Sequence, residues 1–183
     1  MKLFNKSIYN ILCLTKNRNT LNIVNTIANI DDCNLIVPNL YLGNIIYAHK
    51  VDFLTQNNIG GIVNCTEKEP FNDYFENKLK LRIYINDSKD EDNIEKFKCE
   101  IINSINFIDE CINNNTSVYV HCYWGLMRSA TVVAGYLIKR YGISHIDAIK
   151  IVKEQRPSAL SSIYNFNEVL LFVEDTYNLK KKI

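Results

Sequence analysis

One short segment constrains the fold more than any other. The apolar run SVYVH (Ser117–His121) passes through a tight loop into TVVAGYLIKRY (131–141), which stops at Gly142. A short run that does not alternate apolar with polar positions predicts a strand buried on both faces. The second run predicts a largely buried helix with Gly142 at its end. A buried strand feeding a buried helix belongs to a sheet covered by helices.

The rest of the chain repeats that alternation. LIVPNLYLG (35–43) predicts one or two short strands around Pro38, ended by Gly43. NIIYAHKVDFLTQNN (44–58) has helical periodicity up to a stop at Gly60 and Gly61, and GIVNC (61–65) predicts a buried strand. LRIYI (81–85) predicts another strand, followed by the acidic loop NDSKDEDN. Phe97, Ile101, Ile102, Ile105 and Ile108 form the stripe of a long amphipathic helix over 94–112. Ser144 with Asp147 starts a helix over 146–155 that Pro157 stops, and a last helix is expected over 165–177. The expected architecture is a single-domain α/β layered fold with a mostly parallel central sheet flanked by helices. Ligand sites in such folds form where strand C-ends meet helix N-ends, which is where residues 122–130 lie.

The expected organisation is an N-terminal helical extension over 1–33, a catalytic domain over 34–178 and a basic C-terminal tail over 179–183. The 183 residues suffice for one sizeable core, and 47% hydrophobic with 22% charged residues is ordinary for a soluble globular protein. The net charge of +1 supplies no global basic field, so nucleic acid is not an expected partner and any anion recognition is local. Six cysteines without paired spacing point to a reducing compartment, read as cytoplasmic. No run approaches the roughly 18 apolar residues of a membrane span; SIYNILCL (7–14) is short and broken by Asn10. The first thirty residues carry Lys2, Lys6, Lys16 and Arg18 without an acid. A transit peptide would use more arginine, so an asparagine-rich appendage helix is the better reading, with a homodimer through it as a consequence. KKKI (180–183) reads as a solvated tail. The bias toward Asn, Ile and Lys suits an AT-rich genome such as that of a protist or a large DNA virus, and a viral gene would place the protein in the host cytoplasm or the virion.

The loop residues carry a specific chemistry. Cysteine attacks as thiolate, and a helix N-terminus with a neighbouring cation brings a thiol pKa of about 8.5 well down. Cys122 has both if the turn is as read. Five residues separate Cys122 from Arg128, enough for a bowl of inward amides, with Gly125 free to take the unusual dihedrals this needs. A phosphate fits such a bowl. Arg128 offers a planar fork for two phosphate oxygens. Ser129 is placed to hydrogen-bond the sulfur and help it depart from a phosphocysteine, and His121 to orient the loop.

HCYWGLMRS matches H-C-x-x-G-x-x-R-S and resembles the signature of the cysteine-dependent protein phosphatases, in a context similar to their dual-specificity branch over about 34–177. VPNLYLGN (37–44) is similar to the opening strand of that branch. The resemblance implies Cys122 as nucleophile, Arg128 as phosphate clamp, and a cradle from the amides of Tyr123, Trp124, Gly125, Leu126, Met127 and Arg128. It implies a general acid after an upstream strand, which IYIND supplies as Asp87, with Asp90 and Asp92 as alternatives. No metal and no cofactor is implied. Cys65 is either core or, as in some members of the wider superfamily, a partner for a reversible disulfide with the nucleophile. RPSALSSIYNF (156–166) departs from a family segment bearing Pro-Asn-Phe, because its proline is missing and Asn165 is shifted.

The expected substrate is a phosphoprotein, cleaved at phosphotyrosine and at phosphoserine or phosphothreonine if the pocket is shallow. KNRN (16–19) lacks the aromatic of the substrate loop of classical tyrosine phosphatases, which favours the shallow pocket. A phosphoinositide or RNA 5′-phosphatase would use charged loop residues where Tyr123, Trp124, Leu126 and Met127 stand. In a low-molecular-weight phosphatase or arsenate reductase the loop precedes the acid. A pseudophosphatase that only binds phosphopeptides would typically have lost Cys122. A structural thiol does not explain Gly125, Arg128 and Ser129 in register, and zinc would need a second ligand pair.

Overall fold

The computed structural model describes residues 33–161 and 166–179. Residues 1–32 of the N-terminal extension, its expected dimer contact, residues 180–183 of the tail and Asn165 lie outside these residues, while Cys33, expected in the extension, opens a strand and Leu179, expected in the tail, ends a helix.

Among the described residues five strands and six α-helices, with a 3-10 turn over Asp73–Phe75, follow in the order β1 (Cys33–Val37), β2 (Leu40–Gly43), α1 (Ile45–Ala48), α2 (Val51–Gln56), β3 (Ile59–Asn64), β4 (Leu79–Arg82), α3 (Glu91–Asn113), β5 (Ser117–His121), α4 (Arg128–Tyr141), α5 (His145–Gln155) and α6 (Asn167–Leu179). The sheet order is β1-β2-β5-β3-β4. Only the β1–β2 hairpin is antiparallel; β2–β5, β5–β3 and β3–β4 are parallel. The α/β expectation therefore holds, with β5 at the centre.

All five residues of β5 are buried. Val118 and Val120 enter a large core with Phe97, Ile101 and Ile105 of α3 and Val133 and Leu137 of α4. Tyr119 points to the opposite face and packs in a smaller core with Leu54, Ile62 and Phe75. The unbroken apolar run is thus the signature of a strand with a core on each face. Gly142 closes α4 in the left-handed conformation at φ 64° and donates its N–H to Ile138. The Ser144 side chain caps α5 by accepting from the Asp147 N–H.

Three local expectations are corrected. Gly60 and Gly61 lie inside β3 and stop nothing; a Cβ on Gly60 would lie 2.6 Å from Thr116 Cγ2, and one on Gly61 3.0 Å from Cys111 Sγ. The glycines let the end of α3 pack against the sheet, and the turn before β3 falls on Asn58 at φ 50°. The helical stretch 44–58 divides into α1 and α2 at Lys50, whose backbone is extended. β4 begins and ends before LRIYI does; Ile83 and Ile85 are buried beyond its last paired residue. No helix among the described residues is long and apolar enough to cross a membrane.

Candidate active site

The loop from Cys122 to Met127 joins the central strand to α4 at the C-terminal edge of the sheet. Cys122 is 2% exposed, and its Sγ accepts from the Gly125 N–H at 3.2 Å and the Ser129 hydroxyl at 3.3 Å. Burial pushes its pKa up. The Arg128 charge and the hydrogen bonds from Ser129 and Gly125 outweigh that, leaving it below the ordinary thiol value.

Gly125 has φ 69°, and a Cβ there would lie 2.3 Å from the carbonyl oxygen of Gly43 at the end of β2. The loop thus presses onto the neighbouring strand, and Ile45 N–H ties it further by donating to the Tyr123 carbonyl at 3.2 Å. No side chain fits in that contact.

Arg128 opens α4 and is buried. Its Nη1 donates to the carbonyls of Cys65 at 3.3 Å and Ile85 at 3.1 Å, just past β3 and β4. Its Nη2 lies 3.6 Å from Asp87 Oδ2. Its Nε is buried without a hydrogen-bond partner. Two strand ends therefore aim the guanidinium before any ligand arrives.

The three candidate acids separate clearly. Asp87 is exposed over half its side chain and borders a cavity of about 340 Å³ with Cys122, Trp124, Leu126, Met127, Ser158 and Ser161. Asp90 caps α3: its carboxylate accepts from the Asn93 N–H at 2.9 Å and from the Ser88 hydroxyl. Asp92 is exposed in the first turn of that helix. The Asn93 side chain accepts from Asn86 N–H at 3.0 Å and donates to the Asn86 and Ser88 carbonyls, fixing the loop that carries Asp87.

His121 is 1% exposed, stacks on Tyr119, and has Nδ1 3.3 Å from the Cys122 carbonyl. Burial drives its pKa down to about 3, so it is neutral and unsuited to carrying a proton. Cys65, fully buried, donates its N–H to the His121 carbonyl at 2.8 Å. Burial and the charge of Cys122 raise its thiol well above the ordinary value against the opposing pull of Arg128. Cys65 and Cys122 are both free thiols. Among the described residues no group of three or more His, Cys, Asp or Glu could hold a metal ion.

Tyr123 and Trp124 meet edge to face at 5.1 Å, and Trp124 is 53% exposed on the rim. A second cleft beside them is lined by Thr66, Glu67, Lys68, Glu69, Asn86, Asp87 and Arg128. Arg82 holds its wall by donating to the Thr66 and Glu69 carbonyls at 2.8 and 2.6 Å.

Sequence reasoning missed Arg156. It is 2% exposed behind the loop and donates to the carbonyls of Gly125 and Trp124. Its one signal was an arginine wedged between a helix end and Pro157, a position that reads first as surface.

The α/β fold thus sets a thiol of lowered pKa beside a buried guanidinium at a strand–helix turn. Residues 40–176 match the dual specificity phosphatase catalytic domain, and the chain belongs to that family. It is 37% identical over 144 residues to dual specificity protein phosphatase 8 of Mus musculus, covering 79% of this chain and 21% of that protein. It is 38% identical over 147 residues to dual specificity protein phosphatase 6 of Homo sapiens, covering 79% of this chain and 37% of that one. The chain thus spans from about a fifth to under two-fifths of the length of these relatives. The crystal structure of DUSP15 superposes with TM-score 0.66 at 29% identity, covering 82% of this chain and 90% of that one. Human DUSP28 gives TM-score 0.71 at 22% identity over 80% and 95% of the two chains, a likeness of fold.

Proposed function

We propose that the chain hydrolyses phosphotyrosine and phosphoserine or phosphothreonine in proteins through a cysteinyl-phosphate intermediate, without a metal. The Cys122 thiolate attacks phosphorus and the ester oxygen departs, taking a proton from Asp87. Asp87, now a carboxylate, accepts a proton from water as that water attacks the phosphocysteine. The sulfur leaves as thiolate, held by the Ser129 hydroxyl, and orthophosphate is released.

The observation that carries this reading is Arg128. Its Nη1 is committed to two carbonyls while a buried Nε–H has no acceptor. An anion beside Cys122 would satisfy that donor, and the amides of residues 123–128 would complete its cradle.

Against a phosphoinositide or RNA 5′ end stands the second cleft, where Glu67, Glu69 and Asp87 face only Lys68 and Arg128. A polyanionic substrate would meet like charge there. The test is hydrolysis of an aryl phosphate and of phosphopeptides in reductant and chelator, beside Cys122→Ser and Asp87→Asn. Turnover abolished by Cys122→Ser and sharply reduced by Asp87→Asn is expected. Phosphopeptide binding without turnover in the unaltered protein would mark a pseudophosphatase instead.

A further inference from the structure

Arg156 follows α5 and lies behind the phosphate-binding loop, 2% exposed. Burying a guanidinium is expensive unless its donors find good acceptors. Here Nε donates to the Gly125 carbonyl at 2.8 Å, Nη2 to the Trp124 carbonyl at 3.0 Å and Nη1 to Asn34 Oδ1 of β1 at 2.7 Å. One planar group thus takes the carbonyls of two consecutive loop residues while anchored to the edge strand.

In a planar trans peptide the C=O and the following N–H point in opposite directions. Drawing the Trp124 carbonyl toward Arg156 therefore sends the Gly125 N–H the other way. That N–H lies 3.2 Å from Cys122 Sγ. By the same geometry, holding the Gly125 carbonyl directs the Leu126 N–H to the side away from Arg156. The left-handed backbone at Gly125 has to be held against alternatives, since glycine gives up more conformational freedom than any other residue.

We propose that Arg156 is a positioning residue of the active site: its guanidinium fixes the two peptide planes flanking Gly125, keeping their amides turned toward the thiolate and the bound phosphate. This rests on the phosphate-binding reading of the loop and extends it to a residue that touches neither substrate nor sulfur. Lysine would not substitute, because a single ammonium lacks the fork that meets both carbonyls and Asn34 at once.

The test uses the full chain with Arg156→Lys and Asn34→Ala, the second loosening the anchor of the guanidinium without altering the loop. Orthophosphate affinity by calorimetry, the pH profile of kcat/KM on an aryl phosphate, and the melting temperature are measured for each. In Arg156→Lys, orthophosphate affinity and kcat/KM are expected to fall together by about 10- to 100-fold, the weight of a hydrogen bond to a charged group. The acid limb of the profile is expected to move to higher pH as the Gly125 N–H leaves the sulfur. Asn34→Ala shifts both readouts in the same direction by a smaller amount.

A merely structural strut would lower the melting temperature and leave phosphate affinity and the acid limb unchanged, and that result overturns the proposal. If Arg156→Lys does not fold, Asn34→Ala decides by the same two readouts. An unaltered protein that binds orthophosphate without turning over substrate would refute the enzymatic reading alone, with Arg156 then judged on affinity. One that binds no orthophosphate would refute both.

Discussion

Ser129 Oγ lies 3.3 Å from Cys122 Sγ, one residue into α4, so the residue after the proposed phosphate clamp donates its hydroxyl to the proposed nucleophile. The two contacts come from one turn of chain: the strand ends, the loop returns, and the first helical turn brings the Arg128 charge and the Ser129 hydroxyl to the same sulfur.

Ser129→Ala should therefore harm catalysis twice. The thiolate loses a donor, so the acid limb of kcat/KM moves to higher pH, and the sulfur becomes a poorer leaving group in phosphoenzyme breakdown. A hydrogen bond to a charged group is worth about 1.5–3 kcal/mol, which is about 10- to 100-fold in kcat. Rapid-mixing kinetics should show a burst of released alcohol followed by slow turnover. Loss of kcat without a burst would place the hydroxyl in the first step instead.

Asp87 and Asp90 should separate by function. Asp87→Asn is expected to reduce kcat by about 10²- to 10⁴-fold on substrates with poor leaving groups, the usual weight of a general acid. Asp90→Ser keeps an oxygen to cap α3 while removing the carboxylate, so it should leave kcat nearly unchanged. Equal losses in both variants would mean that Asp87 matters through the loop rather than through its proton.

The parts of this architecture that were legible in the sequence are those set by local rules. SVYVH is a strand residue for residue, because an apolar run that does not alternate with polar residues suits a strand covered on both faces. Gly142 and Ser144 end one helix and start the next through their own backbone and side-chain chemistry. Cys122, Gly125 and Ser129 meet in the structure because their spacing folds back on itself, so that the Gly125 N–H and the Ser129 hydroxyl both donate to the Cys122 sulfur. Gly60 and Gly61 misled because a glycine pair reads as a turn, whereas here the close approach of Thr116 and Cys111 demands the missing side chains. Arg156 escaped because its partners are backbone carbonyls some thirty residues away, and no residue-type pattern reports a carbonyl.

Gly125→Ala should be among the most damaging single changes. The new Cβ would lie 2.3 Å from one backbone oxygen and 2.4 Å from the carbonyl carbon of Gly43, neither of which can rotate away, at a φ that L-residues rarely adopt. A destabilisation of about 2–4 kcal/mol is expected from strain of this kind, with phosphate binding lost as well. Chemical unfolding and orthophosphate titration would check the two parts separately.

Cys65 should matter only under oxidation. Peroxide converts the Cys122 thiolate to a sulfenic acid with release of water, and the Cys65 thiol can then condense with it to a disulfide, releasing a second water. Treated protein should regain activity on reduction, while Cys65→Ser should progress to the sulfinic acid and recover far less. Equal recovery, with no disulfide-linked peptide by mass spectrometry, would leave Cys65 as core.

His121 should set part of the acid sensitivity of the fold. Its pKa is about 3 in the buried site, because burial penalises the charged ring, against about 6.5 in an unfolded chain. Between those values the unfolded state holds a proton that the folded state does not, so stability falls as pH drops from about 6.5 toward 3, by at most about 1.4 kcal/mol per pH unit for this one group. Cys122 adds a loss of the same sign, since a depressed thiol pKa stabilises the fold at high pH and ceases to do so as pH falls through its folded value. His121→Asn removes the titration while keeping a polar side chain beside the Cys122 carbonyl. Its urea midpoint should fall less than that of the unaltered protein between pH 6.5 and 5. The acid limb of kcat/KM should stay where it is, because the proposed mechanism assigns that limb to the Cys122 thiol. An unchanged pH dependence of stability, or a displaced limb, would show the imidazole to be charged in the folded protein.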